Sequence, residues 1–527
     1  MQALIDTLWA PWLVGLAGSV ALEACLRPRP RSLTRRGVGA ACVHLGSWCL
    51  LFALFTLVLQ RPWFAVVFVL SLTLVVVQSS NTKSRTLEEP FICHDFEYFW
   101  DAIRHPRLYV PFFGIGLAIA ASTAGAVAIG MFLYLEPALT GRHGLFAVVV
   151  TLALLGTLGA MLVGLGLGRC APITLHPATD MHQLGLFASL WTYGIALYRS
   201  KAPASTPFER VTARAASDTS PNVVLIQSES FFDPRPWCDD IAPHLLTRFD
   251  ATRTQALDKG TLTVPAWGAN TVRTECAVLT GLAPKAWGAR QFNPYHTLAR
   301  RGLPSLASAF KAQGYRTVCV HPYIASFYKR DRVFPELGFE SFIDMSDFDA
   351  NDKHGQYIGD LAVARKVGRL LEDDDNRPLF IFVISMENHG PLHLEAPDRA
   401  HASRALPTAP WPLSKPFRDL AVYLKHLGEA DEMIDRVKTS LSAARRPGLL
   451  GFYGDHVPIL PDAYAHIGAP AGETPYMIWS TERTVLENTM PKARQAHELG
   501  IALFERASGH DMSSERIKAD PEPQEQE

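Results

Sequence analysis

Cysteine is too sparse in this chain to cross-link a fold. Eight are spread over 527 residues. Cys25, Cys42, Cys49, Cys93 and Cys170 lie in or near the apolar first part, and only Cys238, Cys276 and Cys319 in the rest. No pair has C-x-x-C spacing, so there is no disulfide framework. The second half must be held by its own hydrophobic core, and it is long enough to build one. An excess of charge of one sign is also missing. The net charge is −1 and no basic stripe runs through the chain, which gives no support to nucleic-acid binding. A cleaved leader is not expected either: Met1-Gln-Ala-Leu-Ile-Asp has no basic segment, and no short apolar core with a cleavage site follows.

What the chain does have is apolar sequence, unevenly placed. Five runs, about Asp6–Leu26, Gly37–Leu59, Pro62–Gln78, Leu108–Leu135 and Gly144–Leu167, approach the ~20 residues a spanning helix needs. Soluble cores do not place five such runs within 168 residues without amphipathic faces between them. Residues 1–168 therefore read as a polytopic α-helical membrane domain. The densest basic loop, Arg27, Arg29, Arg31, Arg35 and Arg36, is expected in the cytoplasm. Five spans would then leave the second half in the cytoplasm, and a sixth crossing would reverse that. Leu184–Tyr198 is short for a span and rich in aromatics; it reads equally as an interfacial amphipathic helix. Residues 169–215 are expected to hold this helix and a polar linker, 216–507 a catalytic domain, and 508–527, ending PEPQEQE, a disordered tail.

In the second half strand and helix signals alternate. Strands are expected at Asn222–Ser228, Tyr315–Val320, Leu379–Ser385, Leu449–Tyr453 and Pro475–Ser480. Helices are expected at Leu303–Ala312, Ile358–Leu371, Phe417–Leu441 and Glu487–Arg506. This order predicts an α/β domain with a largely parallel sheet flanked by helices.

Chemistry-bearing groups stand where such strands end. Asn222-Val-Val-Leu-Ile-Gln leads into Glu229, Pro378-Leu-Phe-Ile-Phe-Val-Ile-Ser into Glu387-Asn388-His389, and Leu449-Leu-Gly-Phe-Tyr into Asp455-His456. Ligands of open α/β sheets bind outside the carboxyl ends of the strands. Two carboxylates and an imidazole suit a divalent cation. Taken singly each has a plain explanation: Glu229 can cap a helix, and Asp-His is common in loops. Thr271, in Gly268-Ala-Asn-Thr with a helix expected to begin near Thr274, would lie close to a helix N-terminus, where phosphate oxygens are well received. It is either an N-cap or a nucleophile, and a hydroxyl needs a metal or base beside it to act as the latter.

The set resembles the lipoteichoic acid synthase-like branch of the alkaline phosphatase and sulfatase superfamily, which includes phosphoglycerol transferases acting on periplasmic glucans. The resemblance covers roughly residues 216–510. It implies metal ligation by Glu229, Thr271, Asp455 and His456, with Thr271 also the nucleophile. It implies substrate binding by His321 and Arg330, in His321…Phe327-Tyr-Lys-Arg-Asp331, and by His389 in Glu387-Asn-His-Gly-Pro391. Two positions depart from the glycerol-phosphate synthases: Tyr323 stands where they carry an acidic residue, and Tyr328 where they carry tryptophan. The C/S-x-P-x-R segment from which sulfatases make their nucleophile does not surround Thr271, and Cys276 has neither the proline nor the arginine.

The resemblance implies a membrane-anchored, one-metal transferase, with Mn²⁺ expected and Mg²⁺ or Zn²⁺ as alternatives. It would move a phosphoglycerol-like headgroup from a phospholipid to a glycan or lipid acceptor through a phospho-threonine ester. The place implied is a multi-pass protein of the bacterial inner membrane with its catalytic domain on the periplasmic, outer face. Alternatives with the same chemistry are a phosphoethanolamine transferase and a phosphodiesterase or sulfatase-like hydrolase. An inactive membrane assembly protein is the alternative of a different class. Intact Glu229, Thr271, Asp455 and His456 argue against it, because a retired site has no physical reason to keep costly converging charges.

Overall fold

The structure is a computed structural model and describes residues 2–97, 99, 115–373, 376–482, 490–510 and 512. The start of the fourth apolar run and most of the expected tail lie outside the described residues. The chain divides into two compact units, Met1–Ser200 and Lys201–Glu527.

Among the described residues of the first unit, five helices are long and apolar enough to cross a membrane. Helices Val38–Leu59 and Leu145–Leu167 meet backbone to backbone. A Cβ on Gly46 would stand 2.6 Å from the Gly159 carbonyl oxygen, and one on Gly166 2.7 Å from that of Gly39. Small residues serve here because apolar helices in lipid associate by close packing rather than by escape from water. The segment Leu186–Arg199 is a 14-residue helix, about 21 Å long at 1.5 Å per residue and short of the ~30 Å hydrocarbon core. The basic loop is also less free than its charge count suggests. Arg36 is buried against Glu23, which also accepts the Leu186 backbone N–H at 2.5 Å and lies 3.3 Å from His44 Nδ1.

The second unit is built on an eight-stranded sheet in the order β10-β2-β9-β8-β1-β7-β3-β4. The strands are β1 (Asn222–Ser228), β2 (Asp258–Thr263), β3 (Arg316–Val320), β4 (Ser341–Ile343), β7 (Leu379–Ile384), β8 (Gly448–Gly454), β9 (Thr474–Ser480) and β10 (Lys492–Gln495). A small hairpin, β5 (Lys353–His354) and β6 (Tyr357–Ile358), stands apart. The pairs β1–β7, β1–β8, β3–β7, β3–β4 and β2–β10 are parallel; β9 runs antiparallel to both neighbours. The central strands are apolar on both sides because helices cover both faces. Val224 and Ile226 of β1 enter one core with the long helix Lys415–Ala443, while Val223 and Leu225 enter the other with helix Ala496–Ser508.

Several boundaries move. Helix Ile358–Leu371 starts instead at Asp360, because Tyr357 and Ile358 pair in the hairpin. The helix expected from Glu487 begins at Ala496 after the edge strand β10, and 483–489 lie outside the described residues. The polar stretch 200–220 is partly built into the core: Phe208 is buried against Phe504.

Candidate active site

The acid and imidazole groups expected to bind metal converge as the strand order requires. β1 and β8 are neighbours, with Ser228 level with Gly454, so Glu229 and Asp455-His456 leave the sheet side by side. Gly454 permits this approach, since a Cβ there would fall 1.8 Å from the Phe231 carbonyl oxygen. One donor atom from each of Glu229, Asp455 and His456 lies within 4.8 Å of the others. All three side chains are buried. His456 Nε2 is 3.3 Å from Asp455 Oδ2 and 3.7 Å from Glu229 Oε1. Its Nδ1 lies 3.0 Å from the Val457 carbonyl, which fixes the proton on Nδ1 and turns the Nε2 lone pair inward. Asp455 Oδ1 accepts the Ser230 N–H at 2.8 Å, whereas its Oδ2 is buried with no hydrogen-bond partner among the described residues. Burial and the Asp455 charge push the Glu229 carboxyl up to about 8, and burial pushes Asp455 up too. Two buried acids raised by desolvation beside an inward imidazole lone pair, with Asp455 Oδ2 left without a hydrogen-bond partner among the described residues, are a donor set that fits a divalent cation.

Thr271 is the first residue of helix Thr271–Thr280, three residues earlier than expected. The capping position belongs to Asn270, which takes a left-handed conformation (φ 67°) that asparagine tolerates. The Thr271 hydroxyl, released from capping, lies 3.3 Å from His456 Nε2. Cys276, one turn on, is fully buried and its thiol is pushed far up by desolvation, so it is no competing nucleophile.

The second cluster is built around Glu275 on the same helix. Its carboxylate binds Arg330 through both oxygens, accepts the Tyr295 hydroxyl at 2.6 Å and takes Gln227 Nε2 at 3.1 Å. Arg330 extends 3.0 Å to His321 Nε2, and His321 Nδ1 lies 3.2 Å from the Ile384 carbonyl. Burial and the adjacent guanidinium hold His321 well below the ordinary histidine range. It is therefore neutral, with both ring nitrogens engaged, and orients Arg330 rather than exchanging protons. The Arg330 guanidinium also lies 5.3 Å from the Tyr328 ring centre.

His389 follows β7. Its Nδ1 is 2.6 Å from the Gly390 carbonyl, its pKa is lowered by burial, and the Tyr357 hydroxyl approaches at 3.3 Å. Tyr323 stands 6.3 Å from His321 and 6.2 Å from Tyr357, ring centre to ring centre. Arg273 is buried, donating from Nε to the Phe292 carbonyl at 3.2 Å. Reading by sequence missed Glu275 as the partner of Arg330, a pairing made through space, and Tyr357, which sits on a two-residue strand with no signal of its own.

Removing one member of a buried ion pair costs about 3–5 kcal/mol. Glu275→Ala is expected to show a loss of that size in urea unfolding followed by tryptophan fluorescence. Glu275→Gln, which keeps hydrogen bonds to Tyr295 and Gln227, should fall between it and wild type. A wild-type midpoint for Glu275→Ala would mean that Arg330 is held by something else.

A central parallel sheet with a buried acid–imidazole–hydroxyl site at its carboxyl edge, on a chain with apolar spanning-length helices, defines a membrane-attached member of the alkaline phosphatase and sulfatase class. The Sulfatase family matches residues 221–498, and the chain belongs to that family. It is 28% identical over 433 residues to the capsular polysaccharide biosynthesis protein RkpI of Rhizobium meliloti (strain 1021), covering 78% of this chain and 76% of that protein. It is 24% identical to a putative cyclic beta-1,2-glucan modification protein of the same organism, covering 79% and 69%. Among solved structures, the integral membrane protein lipooligosaccharide phosphoethanolamine transferase A (EptA) from Neisseria meningitidis shares the fold over 94% of each chain, with a TM-score of 0.57 at 14% identity.

Proposed function

We propose that this protein transfers a phosphoglycerol-like headgroup from a phospholipid to a glycan or lipid acceptor through a phosphoester of Thr271. The observation that carries the proposal is the Thr271 hydroxyl at a helix start, 3.3 Å from His456 Nε2 and beside Glu229 and Asp455. Glu229, Thr271, Asp455 and His456 would hold one divalent cation, Mn²⁺ by the resemblance, which would lower the pKa of the hydroxyl and draw charge off the phosphoryl oxygens.

In the first step the Thr271 oxygen attacks phosphorus, an Oγ–P bond forms, the bond from phosphorus to the diacylglycerol oxygen breaks, and the lipid alcohol leaves with a proton. Arg330, fixed by Glu275 and His321, stabilises the charge on the non-bridging oxygens, and the helix N-terminus at Thr271 adds its partial positive charge. In the second step an acceptor hydroxyl attacks and the Oγ–P bond breaks. His389 takes the acceptor proton: it is neutral, its Nδ1 is engaged by Gly390, and no described residue binds its Nε2. The capsule and glucan descriptions of the Rhizobium relatives support a glycan acceptor. A lipid donor and a glycan acceptor support a catalytic domain on the outer face of the inner membrane.

A second headgroup, phosphoethanolamine, is favoured by Tyr323 beside His321 and Tyr357 beside His389, since ring faces receive an ammonium group. The test uses the full chain in mixed micelles with phosphatidylglycerol or phosphatidylethanolamine labelled in the headgroup, with and without a β-glucan. Acceptor-dependent headgroup loss from phosphatidylglycerol supports the proposal; loss from phosphatidylethanolamine supports the second reading. Release independent of acceptor would replace transfer with hydrolysis.

A further inference from the structure

Among the described residues Asn388 is a buried amide that the protein leaves wholly unsatisfied. It is 3% exposed, and neither Oδ1 nor Nδ2 has a hydrogen-bond partner among the described residues. Asn222, the buried asparagine at the start of β1, accepts the Leu379 N–H at 3.0 Å. Burying an amide without partners is costly, and nearly all buried polar groups find one. An orphan of this kind calls for an explanation.

Its place supplies one. Asn388 lies in the turn that follows β7, closed by the His389 N–H on the Met386 carbonyl at 3.1 Å. In the sheet β7 stands between β1, which leads into Glu229, and β3, which leads into His321. The residues just before the turn hold both clusters: Ser385 Oγ accepts the Glu229 N–H at 2.9 Å, and the Ile384 carbonyl meets His321 Nδ1 at 3.2 Å. The neighbouring side chains in the turn are committed. Glu387 binds His354 and takes the Asp360 N–H at 2.6 Å, and His389 binds the Gly390 carbonyl. Asn388 is left, in the turn after the strand that lies between β1 and β3, offering two N–H donors and one acceptor oxygen.

We infer that Asn388 is a substrate-binding residue of the transfer reaction, an inference that rests on the transferase reading above. Its Nδ2 donates to a non-bridging oxygen of the phosphoryl group, and its Oδ1 accepts from a hydroxyl of the attached or incoming alcohol. The substrate supplies the partners the protein lacks.

The experiment compares full-length wild type, Asn388→Ala, Asn388→Leu and Thr271→Ala. It measures headgroup transfer from the labelled phospholipids and the thermal midpoint with and without glycerol phosphate and Mn²⁺. Asn388→Ala is expected to lose about 10²–10³-fold in kcat/KM, the usual effect of removing one donor to a developing oxyanion. Without ligand, Asn388→Leu, close in volume, should melt at or above the wild-type temperature, because an orphan polar group has been removed. The rise in midpoint that glycerol phosphate gives wild type should shrink in both variants. Wild-type transfer by Asn388→Ala overturns the inference. So does a lowered ligand-free midpoint in both variants with activity falling only in step with folded protein, which assigns Asn388 a structural role. A wild type that neither transfers nor gains stability from glycerol phosphate overturns the transferase reading, and this assignment with it.

Discussion

Thr271→Ala is expected to abolish headgroup transfer, with a loss of about 10⁴-fold or more, while leaving the fold intact. The size follows from the role, since removing the nucleophile of a covalent mechanism disables the unit to which it belongs. The intact fold follows from the local structure. Asn270, not Thr271, occupies the capping position, and the Thr271 side chain makes its hydrogen bond to His456 rather than to the helix backbone. A change below about 1 kcal/mol in unfolding free energy is therefore expected, well under the loss of a true N-cap at the upper end of its range. Thr271→Ser keeps the hydroxyl and should retain measurable transfer. The check is initial rates on labelled phospholipid beside urea unfolding of the same preparations. An active Thr271→Ala would place the nucleophile elsewhere, and Cys276 is too deeply buried to serve.

Metal removal should have the second largest effect, with a defined dependence on pH. Glu229 and Asp455 both sit above their ordinary carboxyl values, chiefly through burial, with Glu229 at about 8 against an ordinary 4.5. In the metal-free protein the contribution of Glu229 to stability is present below about pH 4.5 and is lost as pH rises through about 8, and the raised Asp455 carboxyl acts in the same direction. A cation binds the charged forms, so it displaces protons and binds more tightly over the same window. Chelation is thus expected to stop transfer. The gap in thermal midpoint between Mn²⁺-loaded and chelated protein should widen steadily from pH 5 to pH 8. A gap that stays flat or narrows with rising pH would mean that these carboxyls are not the ligands.

The sequence shows the parts of this molecule whose physics is local. Strands β1, β7 and β8 are continuous apolar runs because both faces are covered, and the groups that end them, Glu229, His389 and Asp455-His456, come together once those strands lie side by side. Strands β2 and β10, Asp258–Thr263 and Lys492–Gln495, carry almost no apolar signal, because they lie at one edge of the sheet and are partly exposed. The left-handed Asn270 moves the helix start from Thr274 to Thr271, a change that depends on one dihedral angle. The Glu275–Arg330–His321 cluster joins a helix interior, a helix start and a strand end across 55 residues, and no local pattern announces it. The missing partners of Asn388 are visible only when every neighbouring side chain has a position.

The most direct test of the central claim is peptide mass mapping of the full chain after incubation with phosphatidylglycerol, phosphatidylethanolamine and Mn²⁺ without an acceptor. The expected result is a phospho-headgroup adduct on the peptide containing Thr271, absent from Thr271→Ala and from chelated wild type, and discharged on adding a β-glucan. An adduct on another residue, or acceptor-dependent transfer with no adduct at any time, would contradict the covalent account.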